Sequence, residues 1–257
     1  MSSRTGARRK EEPVEEGKVL TILEHLQELR RRLIVASVAL IIGIIVSMVF
    51  TQRLLHWLVA PARDQVEDLS VIYTEPLEYW ATYFRVALVA GVALAMPIIV
   101  YEILAFVGPG LTRQERRWIY PIVLGASLSF VAGAAFAYYV ELPPALHFLL
   151  GFSGDVAKPF IKIGSYIDFV THLMLVTGLV FEMPLLVMGL AKLGVVTSRR
   201  LLGWWRYALV LAFVVAAIVT PSIDPVTQSL VAGPIIVLYF AGIALAKLVE
   251  ARPVLPR

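Results

Sequence analysis

Glu182 lies within the apolar run 169–191, in the string Phe181-Glu182-Met183-Pro184. An ionisable group near the centre of a bilayer costs about 2.5–3.5 kcal/mol on insertion scales, so such groups face a partner or a polar cavity. Two chemistries suit it: a hydrogen-bonding anchor for a polar group on another helix, or a proton or ion site. A packing role is the plainer alternative. Pro184 withholds a backbone donor from the Val180 carbonyl, and a neutral glutamic acid can satisfy it.

Other carboxylates sit at the ends of apolar runs. Residues 21–30 are amphipathic, with Ile22, Leu26, Leu29 and Leu33 at helical spacing and Glu24 and Glu28 sharing a face. Glu28 can pair with Arg32 at i,i+4 on an exposed helix, worth about 0.3–0.5 kcal/mol. It can instead present its charge at the membrane surface to a cationic ligand. Glu115 follows Thr112 by three residues and fits a capping box, which leaves it spare acceptor sites. Asp224, before Pro225, reads as a turn former. Asp168 and His172 read as a local pair at a helix end.

Enzyme signals are poor. The chain has no phosphate-cradling Gly-x-x-x-x-Gly-Lys-Ser/Thr loop and no His-Glu-x-x-His. It has no cysteine, which excludes disulfides and thiolate metal sites. Gly151-Phe-Ser-Gly154 matches a short string of intramembrane serine proteases, but in a polar loop that offers Ser153 no evident base or oxyanion hole. No catalytic residue, metal site or cofactor is expected.

The elements that must hold these residues are membrane helices. The chain of 257 residues is 59% hydrophobic and 16% charged, with mean hydropathy +0.79, well short of the roughly 25% charge of soluble domains. Six blocks can span a bilayer: 33–51, 84–106, 119–141, 169–191, 204–220 and 227–248. The fifth is short, stopped by Pro221 and Pro225. Pro234 should kink the sixth, and both are expected to be short. The loop 51–83 reads as an interfacial cap with short helices, its Trp57, Tyr73, Tyr79, Trp80 and Tyr83 suiting the headgroup level. Residues 1–20 read as a disordered tail, 21–250 as the six-span domain and 251–257 as a second tail. Of the 23 Lys and Arg residues, 18 fall on the side holding both tails. The positive-inside rule makes that side cytoplasmic. The expected fold is an all-α polytopic membrane protein with both termini inside and no internal repeat.

Several strings in order resemble the TatC family, the multi-spanning core subunit of the twin-arginine protein translocase. They are His25-Leu-Gln-Glu-Leu-Arg30, Ala60-Pro61, Pro97, Phe106-Val-Gly-Pro-Gly-Leu-Thr-Arg-Gln-Glu-Arg-Arg117, Phe136-Ala-Tyr138, Phe181-Glu-Met-Pro184 and Thr220-Pro-Ser-Ile-Asp-Pro-Val-Thr-Gln228. The resemblance covers about residues 20–250. It implies binding of twin-arginine signal peptides and transport of folded proteins across the bacterial inner membrane, driven by the proton-motive force. It implies a concave helix wall and an oligomeric complex in membrane lipid with single-span TatA/TatB-type subunits; nothing points to nucleic acid. Glu28 and Glu115, with His25 and Arg30 of the first motif, match its signal-binding residues. Glu182, Asp224 and Gln228 match its polar positions for partner contact, and Pro61, Pro97, Phe106 and Pro184 match structural positions. A proton-coupled secondary transporter built on Glu182 is the rival reading; an unwound, Gly-interrupted helix facing Glu182 would favour it.

Overall fold

The first helix runs straight through the boundary between the amphipathic surface segment and the first span. In the computed structural model, which describes residues 22–65, 71–107, 119–151, 160–192, 194–220 and 224–250, α1 covers Ile22–Met48 without interruption. Nothing between Glu24 and Leu40 is glycine or proline, so no residue there breaks the backbone ladder. Glu115 and Ser153 lie outside the described residues, as do both tails.

Helix α2 (Thr51–Gln65) follows after a two-residue turn, and α3 (Glu78–Val107) is the second long helix. Then come α4 (Ile119–Phe136), a π-helical turn (Ala137–Glu141) and α5 (Leu142–Gly151) in one continuous rod. Pro143 and Pro144 follow the π turn and cannot donate backbone bonds; just before them the Leu142 N–H reaches back five residues to the Ala137 carbonyl. Helix α6 spans Ile163–Lys192. It closes at Gly194, whose φ of 72° is the left-handed value a helix stop needs. The Gly194 and Val195 N–H groups bond the Ala191 and Leu190 carbonyls, both at 3.0 Å. The chain ends with α7 (Ser198–Gly203), α8 (Trp205–Val219) and α9 (Pro225–Val249).

Among the described residues, five helices are long and apolar enough to cross a membrane: Glu24–Met48, Glu78–Phe106, Tyr120–Gly151, Ile163–Lys192 and Pro225–Val249. Helix α8 is apolar but only 15 residues long. At 1.5 Å per residue it covers about 22 Å of a hydrocarbon core of about 30 Å. The expected short fifth block is therefore present. The expected short sixth is not, because α9 has 25 residues. Pro225 opens this helix at its first turn, where no backbone donor is needed. The helix then continues through Pro234.

The long helices pack α1 on α3, α3 on α4 and α6, α4 on α6, α6 on α9, and α9 on α8. At the first of these contacts the backbones nearly touch. A methyl group on Gly43 would lie 2.6 Å from the Gly91 carbonyl oxygen, and one on Gly91 would lie 2.7 Å from the Ile44 nitrogen. Small residues permit such approaches between membrane helices. The Ser47 hydroxyl also reaches the Ala87 carbonyl, at 2.5 Å.

The buried core lies where α2 packs against the ends of the other helices opposite the start of α1. Leu55, Leu58, Leu142, Leu146, Ile167 and Val170 belong to it. The described parts of the connections at that end hold more structure than the sequence suggests. A parallel pair of short strands, β1 (Val71–Ile72) and β2 (Ile161–Lys162), joins two of them. Glu78 clamps the same region by accepting from the Thr74 N–H (2.8 Å) and the Gly164 N–H (3.0 Å). Helix α2 is pinned by two tyrosines. Pro61 cannot donate to the Trp57 carbonyl four residues earlier, and the Tyr138 hydroxyl donates to it instead at 2.7 Å. The Tyr166 hydroxyl donates to the adjacent Leu58 carbonyl at 2.8 Å.

Candidate functional site

At the start of α1 a guanidinium sits between two carboxylates from different helices. Arg32 Nη2 donates to Glu28 Oε1 (3.3 Å), and Arg32 Nη1 donates to Glu102 Oε2 (3.0 Å). Residues four apart share a helix face, so the Glu28–Arg32 pair follows from the sequence. Glu102 is brought in by the packing of α1 on α3 and is only 8% exposed. Arg32 Nε is buried without a partner among the described residues. The His25 ring stacks on Phe106 with centroids 4.5 Å apart, tying the start of α1 to the end of α3. These two expected residues are therefore brought together beside the acidic pair. Arg30 is not: two residues from Glu28, it faces another way and lines a surface groove with Gln27, Arg31, Ile34 and Val35.

About two-thirds of the way along α6, Glu182 is 6% exposed, and its Oε1 has no hydrogen-bond partner among the described residues. Its surroundings come from the close seating of α6 on α4. A methyl group on Gly178 would meet the Phe130 ring at 2.9 Å. The Ser129 hydroxyl donates to the Phe181 carbonyl (2.7 Å), serving the backbone beside the Pro184 break. A second acid lies in the same helix pair. Glu141, at the end of the π turn, is 3% exposed. Its Oε2 accepts from the Thr177 hydroxyl (2.8 Å), and its Oε1 is unpartnered among the described residues. Helix α6 is continuous past Glu182, and α4 opposite it widens only in the π turn. The unwound, Gly-interrupted helix that would favour a transporter is absent among the described residues.

At the other end of the bundle, Asp224 is the N-cap of α9. Its Oδ1 accepts from the Thr227 N–H (2.7 Å) and its Oδ2 from the Thr227 hydroxyl. Gln228 lies one turn further along. The Asp168–His172 pair forms at 3.1 Å, and Arg85 joins it at 2.8 Å from Asp168. Of the expected proline positions, Pro61, Pro97 and Pro184 all lie inside helices. Among the described residues no group of three His, Asp or Glu side chains could hold a metal.

Sequence reasoning missed Glu102 and Glu141. Both lie inside blocks read as apolar spans, so the argument applied to Glu182 would have found them.

Fold and site together define a polytopic helical membrane protein that keeps carboxylates inside its packing. Residues 24–234 match the model of the Sec-independent protein translocase protein family, TatC. The chain is 40% identical to the Sec-independent protein translocase protein TatC of Synechocystis sp., over 89% of each sequence. It is 43% identical to the chloroplastic TATC of Arabidopsis thaliana, over 93% of this chain and 70% of that one. A crystal structure described as the twin arginine translocase receptor TatC superposes with a TM-score of 0.80 at 37% identity, covering 88% of this chain and 99% of that one. The chain belongs to the TatC family. It is a subunit of the Sec-independent protein translocase, a transport component rather than an enzyme.

Proposed function

We propose that this subunit recognises twin-arginine signal peptides at the face bearing Glu28 and Glu102, with Glu115 completing the site. Arg32 carries the argument. A guanidinium already bridges carboxylates from α1 and α3, so the site has the chemistry to hold another. Arginine is always charged, and its planar fork meets carboxylate oxygens in pairs. The partly desolvated setting strengthens each contact over an exposed one. Both termini face the cytoplasm in this reading, and the membrane is the bacterial inner membrane. The apolar part of the signal enters a concave wall formed by the long helices. There Glu182 offers a hydrogen bond to a polar residue of the signal or of a single-span TatA/TatB-type partner. Asp224 and Gln228 meet such a partner near the outer face.

Binding of a synthetic twin-arginine signal peptide to the purified protein tests the reading. Glu28→Lys and Glu115→Lys should each weaken binding by about tenfold or more, because attraction becomes like-charge repulsion. Glu24→Lys should do less, lying one turn further from the membrane. Glu115→Gln separates charge from capping, since glutamine also caps; the proposal requires a clear loss. Unchanged affinity in Glu28→Lys would remove the arginine site.

A further inference from the structure

Helices α6 and α9 pack against each other and end at the same membrane face, with Lys192 and Lys247 in their last turns. The turn at Gly194 and helix α7 then fold over these ends. They enclose a groove of about 960 Å³ that also takes in Arg199 and Arg200. Among the described residues, four cations thus line one groove with a single carboxylate, Glu250. That carboxylate is already committed. It accepts from the Ser198 N–H and from the Ser198 hydroxyl (2.8 Å), and these bonds hold its pKa below the ordinary value of 4.5. Among the described residues, no carboxylate pairs with Arg199, Arg200 or Lys247. Like charges gathered this way repel each other, and an anion in the groove relieves that repulsion.

We propose that this groove binds the headgroup of an anionic phospholipid. Its phosphate lies among Arg199, Arg200 and Lys247, and its acyl chains run along the bundle surface. Guanidinium forks suit phosphate oxygens, and lysines serve as added point charges. The location selects a lipid over a soluble phosphate. The groove sits at the ends of two membrane-length helices, and its walls include the apolar Leu202 and Ile243. Trp204 and Trp205 are exposed beside it, residues that favour the headgroup level. Basic clusters next to membrane helices attract anionic lipids in either leaflet, so the site does not depend on which face is cytoplasmic. It also lies apart from Glu28 and Glu102, and signal recognition can fail without affecting it.

Native mass spectrometry of the full chain, released from a neutral detergent, tests the site. Dioleoyl-phosphatidylglycerol should bind about tenfold more tightly than dioleoyl-phosphatidylcholine. The double variant Arg200→Gln, Lys247→Gln should lose that advantage and keep its phosphatidylcholine binding. Equal binding of the two lipids by the natural chain overturns the proposal. So does unchanged phosphatidylglycerol affinity in a folded double variant. Competition by sn-glycerol 3-phosphate at comparable concentration would assign the groove to a soluble phosphate and overturn the lipid. An oligoglutamate peptide that binds more tightly than the lipid would assign it to an acidic protein and overturn it equally. If the double variant does not fold, the two lipids on the natural chain decide alone.

Discussion

A guanidinium shared by Glu28 and Glu102 competes with any incoming arginine for the same oxygen lone pairs. The two contacts differ in weight. The Glu28 bond is longer and joins neighbours on one helix, whereas the Glu102 bond crosses between helices from a nearly buried carboxylate. Glu102→Gln should therefore destabilise the protein by about 1–3 kcal/mol, the range for a charge-assisted hydrogen bond. Glu28→Gln should cost about 0.5 kcal/mol or less. Unfolding in matched detergent measures both, and equal losses would contradict the ranking. Glu182 calls for a functional readout. As a hydrogen-bonding anchor it can be replaced by an amide, so Glu182→Gln should retain much of the transport activity. Glu182→Ala should lose it, because a partner's polar group is left unpaired in hydrocarbon. A proton relay demands the reverse for glutamine, which cannot titrate. Transport assays at matched membrane levels discriminate: an inactive Glu182→Gln removes the anchor. Glu182 was legible in the sequence because it stands alone in mid-run. Glu102 and Glu141 stand near the ends of theirs, where an acid passes for a boundary, and their burial is set by neighbouring helices.

Prolines and glycines act on whole helices here, and they do so in pairs with residues far away in sequence. Pro61 frees the Trp57 carbonyl, and Tyr138, 81 residues away, supplies the replacement donor. Tyr138→Phe should cost about 1–2 kcal/mol by leaving that carbonyl without its bond. In a Pro61→Ala background the alanine N–H can serve the carbonyl, so the same tyrosine change should cost less. A double-mutant cycle by denaturant unfolding reads the coupling, and strict additivity would sink the explanation. Such pairings mark the limit of sequence reading. Block order, the cap-like loop and the short α8 were legible because each is a local sum of hydropathy and breaker residues. The sheet between β1 and β2 was not, because its strands have only two residues each and pair across the chain. Nor was the length of α9, since Pro234 reads as a bend in the sequence yet the helix continues through it from its Asp224 cap.

Across the molecule, charge and packing describe the same axis. The carboxylate–arginine cluster at the start of α1 and the basic groove beyond α6 and α9 both lie on the side where the sequence gathers 18 of its 23 Lys and Arg residues. The clamped strands and the buried core around α2 lie toward the opposite side. One side is thus built around fixed cations and carboxylates, and the other around apolar packing and backbone ties. An orientation with the basic side in the cytoplasm follows from the positive-inside rule. Under the proposed function, that orientation places Glu28 where signal peptides arrive before transport. The chain has no cysteine, so single cysteines report on sidedness without background. Ser2→Cys and Gln114→Cys should stay unlabelled by a membrane-impermeant thiol reagent added to intact cells, and both should label once the membrane is opened. Ser70→Cys should label from outside directly. Labelling of Gln114→Cys in intact cells would invert the map and separate the arginine-binding face from the compartment in which its ligand is made.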